Sequence, residues 1–230
     1  MKQNTQNGNA IVLILVAIAL FAALGVAFSN TSRTSSSFLS DAEAEAYANQ
    51  IIAYGNDVKS AVKRLQLRGC SDTEISFENN VVAGYENPNS PTDKSCHVFD
   101  VAGGGLQWQE APPPYANTGP LFYEGKYAYI YNTEWQGNGA TCGNQECGDL
   151  LLILSSLDQK ICSIINIQLN LQNTPTDTTY GGVQFTGSYL SAHNTLADES
   201  GGAEAVGKKS ACFNRTNDSA YIYTQILIAR

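Results

Sequence analysis

The sequence predicts an α+β protein. A long N-terminal helix, transmembrane and then amphipathic, leads to a β-rich head with an antiparallel sheet and one packed helix. Three observations carry this. Ala10 to Phe28 is a run of nineteen residues without a charged or polar side chain; as a helix of ~28 Å it matches the hydrocarbon thickness of a bilayer. Beyond it, helical spacing of apolar residues gives way at Gly69 to short alternating segments punctuated by Gly, Pro and Asn. All six cysteines lie after the apolar run, as expected of a head exported to an oxidising compartment.

Composition narrows the function. With 21 acidic and 13 basic side chains in 230 residues the formal charge is −8, which argues against nucleic acid as a partner, because phosphate neutralisation needs a basic surface. Only two histidines, His97 and His193, are present, which leaves little for His-based metal or acid–base chemistry. No cofactor, no metal and no enzymatic activity are expected.

Residues 1–8 form a short polar leader. Residues 9–28 form the transmembrane or filament-core helix, with Ile11, Leu15, Ile18, Ala22 and Gly25 along it. Its small residues (Ala17, Ala19, Ala22, Ala23 and Gly25) permit close helix approach. Lys2 precedes the run, while Asp41, Glu43 and Glu45 follow at a distance, so the N-terminus is expected inside and the rest outside. Residues 29–68 make a polar linker and an amphipathic helix. Ser40 followed by Glu43 has the capping-box form. Ala42, Ala46, Ala53, Val58, Ala61, Val62 and Leu65 recur at helical spacing, Lys59, Lys63, Arg64 and Arg68 gather at the end, and Gly69 is placed to terminate the helix. A helix is thus expected over most of residues 10–67.

Residues 69–230 make up the head. Strands are expected over Glu74–Val82, Ser95–Val101, Leu106–Gln109 and Leu121–Tyr131. Within Gly148–Leu171, Leu150, Leu154, Leu157, Ile161 and Ile164/Ile165 trace an amphipathic helix. The chain closes with a hairpin, Lys209–Asn214 and Ala220–Ala229, turning at Arg215–Asp218.

Several motif matches have plain explanations. Ser60-Ala-Val-Lys63 spells the SxxK of penicillin-recognising enzymes, but it lies mid-helix without the SDN and KTG elements. Gly103-Gly104-Gly105 lacks the spacing of a dinucleotide loop and reads as a flexible turn between strands. His97 has no carboxylate at motif distance and reads as structural. The sequons at Asn30, Asn214 and Asn217 carry little weight in an Asn-rich chain.

Six cysteines allow fifteen pairings. Cys142 and Cys147 flank a short Gly-containing loop and are paired with each other. Cys70 follows the helix cap and Cys96 lies in a segment that returns toward it, so these two are paired. Cys162, on the inner side of the second helix, is paired with Cys212 in the C-terminal hairpin. Zinc is disfavoured because no CxxC knuckle exists.

The order of leader ending in Gly8, apolar helix, amphipathic helix and disulfide-containing β-rich head resembles the type IV pilin and type II secretion pseudopilin superfamily. The resemblance implies cleavage between Gly8 and Asn9 by a prepilin peptidase. It implies assembly with other pilin-like subunits through the N-terminal helix. It places the head in the periplasm of a bacterial inner membrane or on a cell-surface filament. Asn9 stands where the family usually has Phe, and Leu13 where most members carry Glu at the fifth mature position, which makes the likeness a divergent one. The alternative is a signal-anchored or secreted binding module of adhesin or lectin type, for which Gly25-Val26-Ala27 has the small-residue spacing of a signal-peptidase site. An extracytoplasmic enzyme is a third reading, without a recognisable nucleophile–base or metal set.

Overall fold

The computed structural model describes residues 39–108, 128–135, 149–177, 184–189, 195–196, 205, 208–216 and 219–229. The leader, the helix expected over 9–28 (Gly8, Asn9, Ile11, Leu15, Ile18, Ala22 and Gly25 among its marked positions) and Cys142 and Cys147 lie outside the described residues. Among those described, no helix is long and apolar enough to cross a membrane.

Helix α1 runs over Asp41–Leu67. Its start is written in Ser40: the hydroxyl accepts from the Glu43 N–H, and the Glu43 carboxylate accepts from the Ser40 N–H at 3.0 Å. Its end is written in Gly69, at φ +102°. The Gly69 N–H donates to Gln66 and the Cys70 N–H to Leu65, which satisfies the last carbonyls in a Schellman closure. The buried stripe is Ala44, Ala48, Ile51, Tyr54, Gly55, Val58, Ala61, Val62 and Leu65. In the first half this departs from the expected positions: Ala42, Ala46 and Ala53 are exposed. Alanine is compatible with either face, so Ile51 and Tyr54 decide which way the helix turns.

The strands are β1 (Ala128–Trp135), β2 (Asp149–Leu157), β3 (Thr176–Asp177), β4 (Thr195–Leu196), β5 (Ser210–Arg215) and β6 (Ala220–Ile228). They lie in the order β3-β5-β6-β2-β1-β4. The central run β5-β6-β2-β1 is antiparallel, and the two short edge strands pair parallel. The C-terminal hairpin is therefore as read from the chain.

The helix expected across 148–171 is corrected. Residues 149–157 are strand β2, and only Gln159–Gln168 is helix, α2. Leu150 to Leu154 is apolar without a break and buried at every position, the pattern of a strand covered on both faces rather than one that alternates. The strand ends in a register shift between Leu154 and Leu157, with Ser156 at φ 60°. Asp158 then caps α2 by accepting from the Lys160 N–H at 2.8 Å. Asn170, at φ 59°, closes α2 as Gly69 closes α1: its N–H donates to Ile167 and that of Leu171 to Asn166.

Both helices share one face of the sheet. Gly55 brings the α1 backbone so near β6 that a Cβ there would strike the Gln225 amide. The Gln225 Nε2 donates to Asn56 Oδ1 at 3.0 Å, and the Tyr223 hydroxyl donates to Gln225 Oε1 at 2.7 Å. Burial raises the Tyr223 pKa, so the phenol keeps the proton it donates. Cys212, opposite Tyr223 in the ladder, carries the disulfide to Cys162 on α2. The other face is a second apolar layer of Leu151, Ile153, Phe213, Ile222 and Ile226, covered in part by Leu171 and Ala205.

One turn beyond Cys162, Asn166 finishes the attachment. Its Nδ2 donates to the Cys212 carbonyl at 2.8 Å, and its Oδ1 accepts from the Cys212 N–H at 2.8 Å. A buried side-chain amide thus does at the β5 edge what a neighbouring strand would do. Cys212 is held by its sulfur and by both of its backbone polar groups.

Candidate functional site

Segment 70–108 hangs from the C-terminal end of α1 and is built almost without ladders. The strands expected over 74–82, 95–101 and 106–109 are corrected: the segment's described backbone holds a single isolated parallel bridge, Ser76 to His97. Side chains take the place of strand partners. Asn79 Oδ1 accepts from the Val81 and Val82 N–H groups, and Asn87 Nδ2 donates to the Thr73 and Ile75 carbonyls. The apolar residues that suggested alternation instead build an aromatic pile. Phe99 meets Trp108 edge to face at 5.0 Å, Phe77 meets Phe185 at 6.2 Å, and Tyr85 lies 5.7 Å from Trp108.

The glycine run does form a turn, closed by the Gly103 and Gly105 N–H groups on the Asp100 carbonyl, and two of its glycines have a further task. Gly103 and Gly104 lie against the backbone of His97 and Val98, where any Cβ would collide with main-chain atoms. The Gly104 N–H donates to the His97 carbonyl at 2.7 Å, and the Leu106 N–H to Val98 at 3.2 Å. Two arginines from the last turns of α1 grip the outer side: Arg68 Nη1 donates to Gly103 O at 2.8 Å and Arg64 Nη2 to Gly104 O at 3.0 Å. The Cys70–Cys96 disulfide, with Cα atoms 5.9 Å apart, ties the same helix end to the strip the glycines pack on. Both described disulfides are the pairs expected from the chain.

This scaffold encloses a cavity of about 670 Å³, within the usual range for small-molecule sites. Glu78, Asn79 and Asn80 line one part, Lys94, His97, Phe99 and Asp100 another, and Val101 and Gly105–Trp108 the rest. Lys94 Nζ lies 3.8 Å from Asp100 Oδ2, and Lys94 is held at φ 60°. Burial pushes the His97 pKa down, against the opposing pull of the Glu78 carboxylate. The Trp108 indole N–H is buried with no partner among the described residues.

No family model, curated protein or solved structure matches the chain. The site therefore rests on its own geometry. Among the described residues no group of three or more His, Cys, Asp or Glu is placed to hold a metal. Ser60 and Lys63 of the SxxK spelling are exposed on α1 and do not line the cavity. His97, read as structural, is buried and forms part of the cavity wall. Sequence reasoning missed Glu78, Lys94, Asp100 and Trp108 altogether. The usable signal was a polar, carboxylate-bearing stretch with Phe99 and Trp108 on either side of a glycine run whose chemistry is backbone packing.

Proposed function

We propose that the chain is a non-catalytic pilin-like subunit that assembles through its N-terminal helix in a type IV pilus or type II secretion pseudopilus. What supports this is an order along the sequence: an uninterrupted apolar run at 10–28 and, later in the chain, a doubly capped helix of 27 residues that buries one face on an antiparallel sheet. An apolar helix of that kind can be stored in a bilayer and transferred into a bundle of like helices without meeting water. The two disulfides support an oxidising location for the head, outside the inner membrane. Membrane, sister subunits and a prepilin peptidase are the partners of this reading.

The mass of the mature N-terminus tests it. A chain beginning at Asn9 is the expected result. A chain beginning at Phe28 would replace the pilin reading with a signal-peptide one, and an intact Met1 would leave a plain membrane anchor. A charge placed at Leu15 or Ile18 is expected to weaken membrane or bundle burial, at a cost of about 3 kcal/mol for Asp at mid-bilayer.

A further inference from the structure

We propose that the cavity between residues 78 and 108 is a binding site for a neutral hexopyranose of about disaccharide size, whether or not the chain assembles into filaments. The charges argue for a neutral ligand. Glu78 and Asp100 oppose an anion, while Lys94, 3.8 Å from Asp100, offsets a carboxylate and opposes a simple cation. The polar lining opposes a hydrocarbon. What remains is a ligand with an apolar face and many hydroxyls. Phe99 and Trp108 supply aromatic surface for the C–H face of a sugar ring. No hydrogen bond ties the side chains of Glu78, Asn80 or Gln107 to other described residues, so carboxylate and amides are free to pair with hydroxyls.

Two further features point to a built site. Among the described residues, the buried indole N–H of Trp108 has no acceptor of the kind such a group normally finds. The walls are also pre-set, since the glycine strip, the two arginines and the Cys70–Cys96 bridge fix the backbone before any ligand arrives. Lys94 is a lining residue in the left-handed region, a conformation that persists only where its surroundings impose it.

The two tryptophans, Trp108 and Trp135, give a direct readout through their indole N–H signals. Full-length ¹⁵N-labelled protein, in a detergent without a sugar headgroup, is titrated with maltose, cellobiose, lactose and N,N′-diacetylchitobiose up to about 20 mM. At least one of them is expected to move the Trp108 signal saturably and leave Trp135 in place. Glu78→Ala, or Gln107→Ala should that variant fail to fold, is expected to weaken the response about tenfold. The proposal is overturned if none of the four sugars moves the Trp108 signal or if the variants bind as the parent does. It is overturned equally if tetramethylammonium chloride produces the shift and the sugars do not, which would mark an acidic aromatic cage for cations. The N-terminal mass reports on the pilin reading separately, so the two fail independently.

Discussion

In the layer formed by α1, α2 and the sheet, backbone polar groups find their partners in helix turns and strand ladders, and side chains supply the exceptions. In segment 70–108 side chains take a much larger share: turns and one bridge pair part of the main chain, and asparagine, aspartate and single arginine donors hold much of the rest. A cooperative layer shares its stability among all its elements, whereas a loop-built segment opens by itself when one attachment is lost. Binding surfaces tend to be placed on the second kind of structure and carried by the first.

The strongest way to break this comparison is to remove each disulfide in turn. Replacing Cys162 and Cys212 by alanine frees a loop of 50 residues within the layer and should cost about 4 kcal/mol in the chain-entropy account, seen as a lowered midpoint for the entire unfolding transition. Replacing Cys70 and Cys96 frees 26 residues, for about 3.5 kcal/mol in the same account, but most of that loss should fall on segment 70–108. Hydrogen exchange resolves the two: fast exchange in residues 70–108 with α1 and the sheet still protected is the expected pattern, and equal loosening of both regions would erase the distinction.

Asn166→Leu comes next. It leaves the Cys212 N–H and C=O buried without partners, at about 3 kcal/mol for the two groups. Asn166→Asp sharpens the result, because it keeps the acceptor for the N–H and loses the donor; urea titrations should rank it between parent and Leu. In the other region, Arg68→Ala removes one charged donor from the Gly103 carbonyl, at about 1.5 kcal/mol. Its effect should appear as faster exchange around residues 100–106 with little change in the midpoint of the layer.

The smallest effect is at the start of α1. Ser40→Ala removes the cap at about 1 kcal/mol. Hydrogen bonds from the Ser40 side chain, and then its backbone, hold the Glu43 carboxyl below its ordinary pKa. The folded state therefore favours the ionised form, and that contribution is present above the ordinary glutamate range and disappears as pH falls through the depressed value. The gap between parent and Ser40→Ala should narrow on acidification below about pH 4.5; a gap that widens there would contradict the capping box.

The two regions also differed in how far they could be read from residues alone. Ser40, Glu43 and Gly69 mark both ends of α1 because capping is local chemistry, complete within a few residues. The C-terminal hairpin was legible from its turn and apolar last strand. Leu150 to Leu154 misled because an unbroken apolar run fits a helix or a doubly covered strand, and the second cover, including Leu171 and Ala205, lies far along the chain. Segment 70–108 was least legible. Glu78, His97 and Trp108 are brought together by Asx turns and backbone contacts that leave no periodic trace.

The placement of Cys70 immediately after α1 has a mechanical consequence. A pull transmitted along α1 reaches Cys70 and is carried across by the covalent bridge to Cys96, so the residues between them bear no tension. They form a reserve of about 90 Å of contour length that stays folded on itself while the bridge is oxidised and pays out when it is reduced. The wall of Glu78, Asn79, Asn80 and Lys94 is thus mounted on slack chain, while Phe99 and Trp108, beyond Cys96, stand in the line of force.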